Sequence, residues 1–166
     1  ESLFGRGLIN YLKIISNLVK FVASEKAGDA SLSITARAAG TCMSGGSLNE
    51  SIILDVSKFM NGVKEVGADF ATALPGTYYR DFERETLAKG LVMPSFPASK
   101  NLCAVGGMVA NNAGGERSLS YGKTEDYVKS LKMIFADGVE RVIKPVTGSE
   151  LDEKREQNDF EGKVYR

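Results

Sequence analysis

Histidine does not occur in this sequence, and cysteine occurs only twice, at Cys42 and Cys103, with no CxxC pair. Tetrahedral zinc sites draw mainly on those two residue types, so no metal site is expected. A Ser-His-Asp or Cys-His nucleophile is excluded for the same reason. The two cysteines leave a disulfide open, but free thiols in a reducing, cytoplasmic compartment are the plainer reading. No apolar run approaches the roughly 20 residues that a membrane span needs. The stretch from Glu1 has no basic, apolar, cleavable segment of the signal-peptide kind. Net charge is missing too. Lys plus Arg and Asp plus Glu balance at 21 each, so no strong field favours nucleic acid or an acidic membrane.

What remains is ordinary globular material, 43% apolar and 25% charged over 166 residues. That suffices for one domain with a real core, or for a small domain plus a fragment. Leu8, Leu12, Ile15, Val19 and Val22 form one apolar stripe, with Asn10, Lys13, Asn17 and Lys20 outside it. This predicts an amphipathic helix ending near Ala27-Gly28-Asp29. Ser31 to Arg37 reads as a strand running into a glycine loop, and Ser51 to Val56 as a short buried strand. Val63 to Val66 and Phe70 to Leu74 are two more strand candidates. A helix is expected from about Tyr78 to Lys89, with Tyr78, Tyr79 and Phe82 on its packed face and Gly90 as its cap.

Leu91 to Ser99 holds two prolines and predicts an extended, stiff segment. Ala104 to Gly115 suits a short helix or tight turns. Two strand-like runs flank Asp137-Gly138 and predict a hairpin. Ten of the last 18 residues are charged, which predicts a solvated helix or tail outside the core. The order of elements implies an α+β fold, or two small α/β lobes with a cleft between them.

Eight of the 18 glycines fall in two windows: Gly40, Gly45 and Gly46, then Gly106, Gly107, Gly114, Gly115 and Gly122. Glycines cluster where a backbone takes positive φ or lets a ligand come close. The first window, Arg37 to Gly46, follows a strand and offers free N–H groups and the hydroxyls of Thr41 and Ser44, a potential nest for paired phosphates. The second adds Asn111 and Asn112. Neither window is a P-loop or a Rossmann turn. Between Gly90 and Gly115 the only charge is Lys100, which favours packing on a flat aromatic ring over gripping phosphate with lysines. Cys42 and Cys103 are expected to be small buried residues without redox chemistry.

These residues resemble, in order, the motifs of the FAD-linked oxidases of the vanillyl-alcohol oxidase and p-cresol methylhydroxylase type. Arg37 to Gly46 (RAAGTCMSGG) is similar to that family's RGxGTxxxGG loop, and Leu74-Pro75-Gly76 to its PG turn. Met93 to Ser99 followed by Val105 to Gly115 resembles the flavin-lining segment. Ser118 to Gly122 and Phe135 to Gly138 continue the match, which covers roughly residues 8 to 145 and lies nearest the D-lactate and glycolate dehydrogenase-like flavoproteins.

The resemblance implies a p-cresol methylhydroxylase-type FAD-binding domain. Its first α/β lobe would be residues 1–76, and 77–147 would begin a larger mixed lobe that is truncated here, with 148–166 a charged helical tail. Gly40, Thr41, Cys42, Met43, Ser44 and Gly45 would face the pyrophosphate, flanked by Arg37 and Gly46. Pro94, Ser95, Ala98 and Ser99 would lie along the flavin and ribityl chain. Gly106, Gly107, Asn111, Asn112, Gly115 and Gly122 would complete the wall. Thr41 stands where some relatives attach the flavin through a histidine, so noncovalent FAD is implied.

The family's later GSEGTLG-like segment and its substrate domain, with its catalytic or metal-binding histidines, have no counterpart in this sequence. No general base is assigned here for that reason. The implied parent oxidises a 2-hydroxy acid such as D-lactate or glycolate and passes electrons to an acceptor. A truncated second lobe would expose Leu131, Met133 and Phe135 and favour homo-oligomers. The rival readings are a nucleotide-binding module without chemistry and a flavin reductase of the cell-wall precursor type.

Overall fold

A computed structural model describes the backbone of residues 3–166 and the side chains of residues 10–166. Helix α1 spans Leu3–Glu25. Leu12, Ile15, Val19 and Val22 turn inward while Lys13, Asn17 and Lys20 stay in solvent, as the stripe predicts; the side chain of Leu8 lies outside the described residues. Tyr11 stacks on Phe59 with ring centroids 5.1 Å apart.

The strands form three two-stranded sheets. β1 (Ile34–Arg37) and β2 (Ile52–Asp55) run parallel, Ile34 opposite Ile52 and Arg37 opposite Asp55. Parallel neighbours need a crossover of a dozen or more residues. Here that crossover is the glycine loop, residues 38–51, so the loop leaves from the carboxyl end of β1. β2 is not the buried strand that its composition suggests. Its residues alternate between half-buried and exposed, with Ile53 outward, because a two-stranded sheet covers only one face.

β3 (Val63–Val66) and β4 (Ala71–Ala73) pair antiparallel. Helix α2 (Tyr79–Leu87) follows the Pro75-Gly76 turn. It ends as predicted at Gly90: the Leu91 N–H donates to the Thr86 carbonyl and the Gly90 N–H to Leu87, the paired bonds of a left-handed glycine cap. Tyr79 and Phe82 are buried, but Tyr78 is half-buried beneath the Arg80 guanidinium, 4.3 Å from its ring centre. Residues 91–104 contain no helix or strand, and helix α3 (Val105–Ala110) comes next. Tyr79, Phe82, Phe96, Cys103, Met108 and Ala113 make the core on which Val63, Ala71, Ala73, Met93 and Val105 pack. Burying each large side chain stabilises by about 1.5–3 kcal/mol. The main core therefore lies directly under the second glycine window.

Helix α4 (Ser118–Tyr121) and a 3-10 turn at Thr124–Tyr127 lead to the hairpin of β5 (Leu131–Ile134) and β6 (Glu140–Ile143). Ser16 Oγ on α1 donates to the Gly138 carbonyl at the hairpin tip. The charged segment after Thr147 forms α5 (Gly148–Glu156) and α6 (Phe160–Tyr165). Most of it is exposed, as its charge predicts, while one edge packs on the hairpin. Phe160 packs on Phe135 at 6.0 Å, and Arg141 bridges Asp137 (2.7 Å) and Glu161 (3.4 Å). Of the expected apolar face, Phe135 and Leu131 are half-buried, and Met133 remains 40% exposed. Among the described residues no helix is long and apolar enough to cross a membrane.

Candidate functional site

The first window is open. Gly40 and Gly45 take positive φ (71° and 75°), and the Arg37 guanidinium folds over Gly40. Among the described residues the loop closes two backbone hydrogen bonds on itself, Gly45 N–H to Cys42 (3.3 Å) and Leu48 N–H to Gly45 (2.9 Å). Thr41, Met43, Ser44 and Gly46 are exposed, Met43 fully so. Asn49 anchors the returning chain: its amide donates to Ser33 Oγ (3.1 Å) and Thr35 Oγ1 (3.0 Å), and its oxygen accepts from Ser51 N–H (3.0 Å).

Cys42 is half-buried, not the buried spacer expected, and both thiols are free. The Cys42 thiol is held below its ordinary value by the Ser44 hydroxyl 3.2 Å away and by the N–H groups of Gly46 and Ser44. Those groups thus already converge on a point where negative charge is favoured. Such a cluster of unshielded N–H dipoles matches what a phosphate needs.

The second window is closed upon itself. Gly106 donates its N–H to the Pro75 carbonyl (2.8 Å), and a Cβ there would lie 2.6 Å from Pro75 Cβ. Only glycine permits that approach. One residue on, the Cβ position of Gly107 is 4.0 Å from Ala38. Three separated motifs, the Arg37 loop, the PG turn and the start of α3, therefore converge.

Farther along, Gly115 lies against Phe96, where a Cβ would come 2.3 Å from the Phe96 carbonyl. Ser95 is fully buried and donates to the Gly122 carbonyl (3.0 Å). Asn112 Oδ1 accepts from the Glu125 N–H (3.0 Å), and Thr124 Oγ1 donates to Ala113 (2.6 Å). Tyr79, buried on α2, donates its hydroxyl to Met93 (2.8 Å). Burial and the nearby Glu83 raise the pKa of that phenol, so it stays protonated and a donor. Ser99 accepts from the N–H groups of Leu102 (2.7 Å) and Cys103 (2.8 Å). Pro94 is half-buried, and Ala98 and Asn111 are exposed. Cys103 is buried, which pushes its thiol up.

Sequence reasoning missed Tyr79, Asn49 and Thr124 as supports of this site. Their bonds to Ser33, Thr35, Met93 and Ala113 join positions 11 to 16 residues apart, and no local pattern marks them. A groove of ≈ 390 Å³ lies away from the convergence, between α3 and the hairpin. Among the expected site residues only Asn112 borders it, with Val109, Val128, Leu131 and Ile143 making an apolar floor. The groove thus lies apart from the place where the first loop, the Pro75-Gly76 turn and the start of α3 approach one another.

A family model described as an FAD binding domain matches residues 17–143. The chain is 36% identical over 108 residues to the glycolate oxidase subunit GlcD of Bacillus subtilis, covering 63% of this chain and 23% of that protein. It is 37% identical over 128 residues to a D-lactate dehydrogenase of Archaeoglobus fulgidus, covering 75% of this chain and 27% of that one. The chain thus spans about a quarter of the length of these curated relatives. Among solved structures, a chitooligosaccharide oxidase superposes with a TM-score of 0.68 at 17% identity, over 84% of this chain and 29% of that one. The shared fold is the p-cresol methylhydroxylase-type FAD-binding domain.

Proposed function

The chain belongs to this FAD binding domain family, and on that premise we propose that it holds the cofactor in a flavin-dependent dehydrogenase or oxidase of 2-hydroxy acids. D-lactate or glycolate represents the substrate class, as the names of the two relatives suggest. One observation carries the assignment of the site: Gly106 bonds the Pro75 carbonyl, and a side chain on the adjacent Gly107 would come within 4.0 Å of Ala38 at the start of the first loop, so the three motifs lie side by side. The first loop, from Gly40 to Gly46, would receive the pyrophosphate through its N–H groups and the Thr41 and Ser44 hydroxyls. Arg37 would add positive charge beside it. Pro94, Ala98, Ser99, Gly106, Gly107, Asn111, Asn112, Gly115 and Gly122 would border the flavin.

When bound, FAD supplies the redox chemistry by accepting a hydride from the substrate carbon. This chain's own contribution is to hold and orient the cofactor, with residues 1–76 and 77–147 as the two sides of the cleft. Thr41 offers no imidazole for a covalent bond, so the flavin is held without one. The substrate-binding groups and the electron acceptor's contact lie on other parts of the protein.

Titration of the full-length protein with FAD, followed by flavin fluorescence, tests the reading. Saturable binding released by denaturation without a covalent adduct is the expected result. Bleaching of the bound flavin by D-lactate or glycolate under anaerobic conditions would follow. FAD uptake without bleaching by any 2-hydroxy acid would leave a binding module and overturn the enzymatic part.

A further inference from the structure

Ser95 sits between two prolines in the segment that the FAD reading places along the flavin, yet its side chain has no access to any ligand. It is fully buried, and its hydroxyl proton points at the carbonyl of Gly122, 27 residues away. We infer that Ser95 is a positioning residue, whose hydroxyl locks the 93–99 segment to Gly122 and so builds the flavin wall before the cofactor arrives.

The surroundings support a lock. Gly122 has positive φ (73°), and its N–H is tied to Ser118 (2.9 Å). Ser118 Oγ in turn accepts from the Gly115 N–H (2.8 Å). Gly115 is the glycine pressed against Phe96, next to Ser95. The chain therefore closes a ring: Ser95 to Gly122, Gly122 to Ser118, Ser118 to Gly115, and Gly115 back to Phe96. Two side chains link the sides of that ring: the Ser95 hydroxyl, by a hydrogen bond, and Arg117, whose guanidinium lies 5.3 Å from the centre of the Phe96 ring. The ring's members Gly115 and Gly122 are themselves wall positions, so a shift at Ser95 moves backbone that the flavin would touch. Among the described residues no buried side-chain nitrogen or oxygen lacks a partner, and for the Ser95 hydroxyl that partner is the Gly122 carbonyl.

This inference rests on the FAD reading. Its test compares wild type, Ser95→Ala and a control, Val22→Ala, in the full-length protein. Val22 is also buried, 7% exposed, but lies on α1 and takes no part in the ring. Removing the hydroxyl takes this partner from the carbonyl of the half-buried Gly122. Ser95→Ala is expected to bind FAD roughly tenfold more weakly or worse, and to change the visible circular dichroism of the bound flavin. Val22→Ala should lower the apoprotein's thermal midpoint as much or more, while affinity and the flavin spectrum stay at wild-type values. Ser95→Cys, which keeps a weaker donor, should fall between wild type and alanine, and it supplies the same comparison if alanine does not fold. Equal FAD affinity and spectrum in wild type and Ser95→Ala would overturn the inference and leave the FAD reading standing. A wild-type protein that binds no FAD would overturn both.

Discussion

The two glycine-rich windows use glycine for opposite ends. In the Arg37–Gly46 loop, glycine permits positive φ, and among the described residues the loop makes only two backbone–backbone hydrogen bonds with itself. From Met93 to Gly122, glycine permits backbone to touch backbone, and most of the polar groups bond one another. On the proposed reading, the first window would be completed by the pyrophosphate. The second is finished beforehand, over the main core. The difference teaches that a high glycine count says nothing by itself about which backbone will face a ligand.

The sharpest way to break the comparison is to place the same side chain in both windows. A Cβ at Gly115 would meet the Phe96 carbonyl at 2.3 Å, and a backbone atom cannot swing aside. Gly115→Val is expected to lose about 3 kcal/mol or more of stability, seen as an earlier urea midpoint, and FAD binding with it. At Gly45 the nearest atom is Leu48 Cδ1 at 3.6 Å, so the only folding penalty is strain at positive φ, about 1–3 kcal/mol. Gly45→Val should therefore stay folded by circular dichroism yet lose FAD. If both variants fail in the same way, the distinction between an open and a finished window is wrong.

A smaller effect tests how far the pre-built half extends. In the hairpin the closure is ionic: Arg141 holds the Asp137 carboxyl below its ordinary value of 3.8. A carboxylate whose folded pKa is depressed adds stability above the unfolded value and loses it as pH falls through the folded one. Protection of the β5–β6 amides against hydrogen exchange should thus weaken progressively below about pH 4. Asp137→Asn should be less protected at neutral pH and show a flatter acid profile. An unchanged acid profile in that variant would assign the loss to other carboxylates.

The local elements were largely legible in the sequence because their causes are local. The α1 stripe, the Gly90 cap and the Asp137-Gly138 turn each depend on neighbours within a few positions. So did the candidate site in outline, because its motifs keep their order along the chain. What could not be read was which groups were already engaged. Ser95 resembles a ligand-facing serine until Gly122 is seen beside it, and Tyr79 is one aromatic among several until its hydroxyl finds Met93. The charged residues after Thr147 do form largely solvated helices, but the sequence does not show that Arg141 and Phe135 receive Glu161 and Phe160 along one edge of them.

The mildest probe reads both windows at once, because each contains one cysteine. Cys42 is half-buried among the Ser44 hydroxyl and the N–H groups of Gly46 and Ser44, which hold its thiol below the ordinary 9.0. Cys103 is buried in the core, which raises its thiol. Only the thiolate is alkylated, so at mildly alkaline pH iodoacetamide should label Cys42 on the order of tenfold faster or more. Peptide mass spectrometry separates the two sites. Prior saturation with FAD should slow labelling of Cys42, since the pyrophosphate would claim the same N–H groups, and leave Cys103 as slow as before. Labelling of Cys42 at the same rate with and without bound FAD would mean that the cofactor does not occupy this loop, and the open window would then need another ligand.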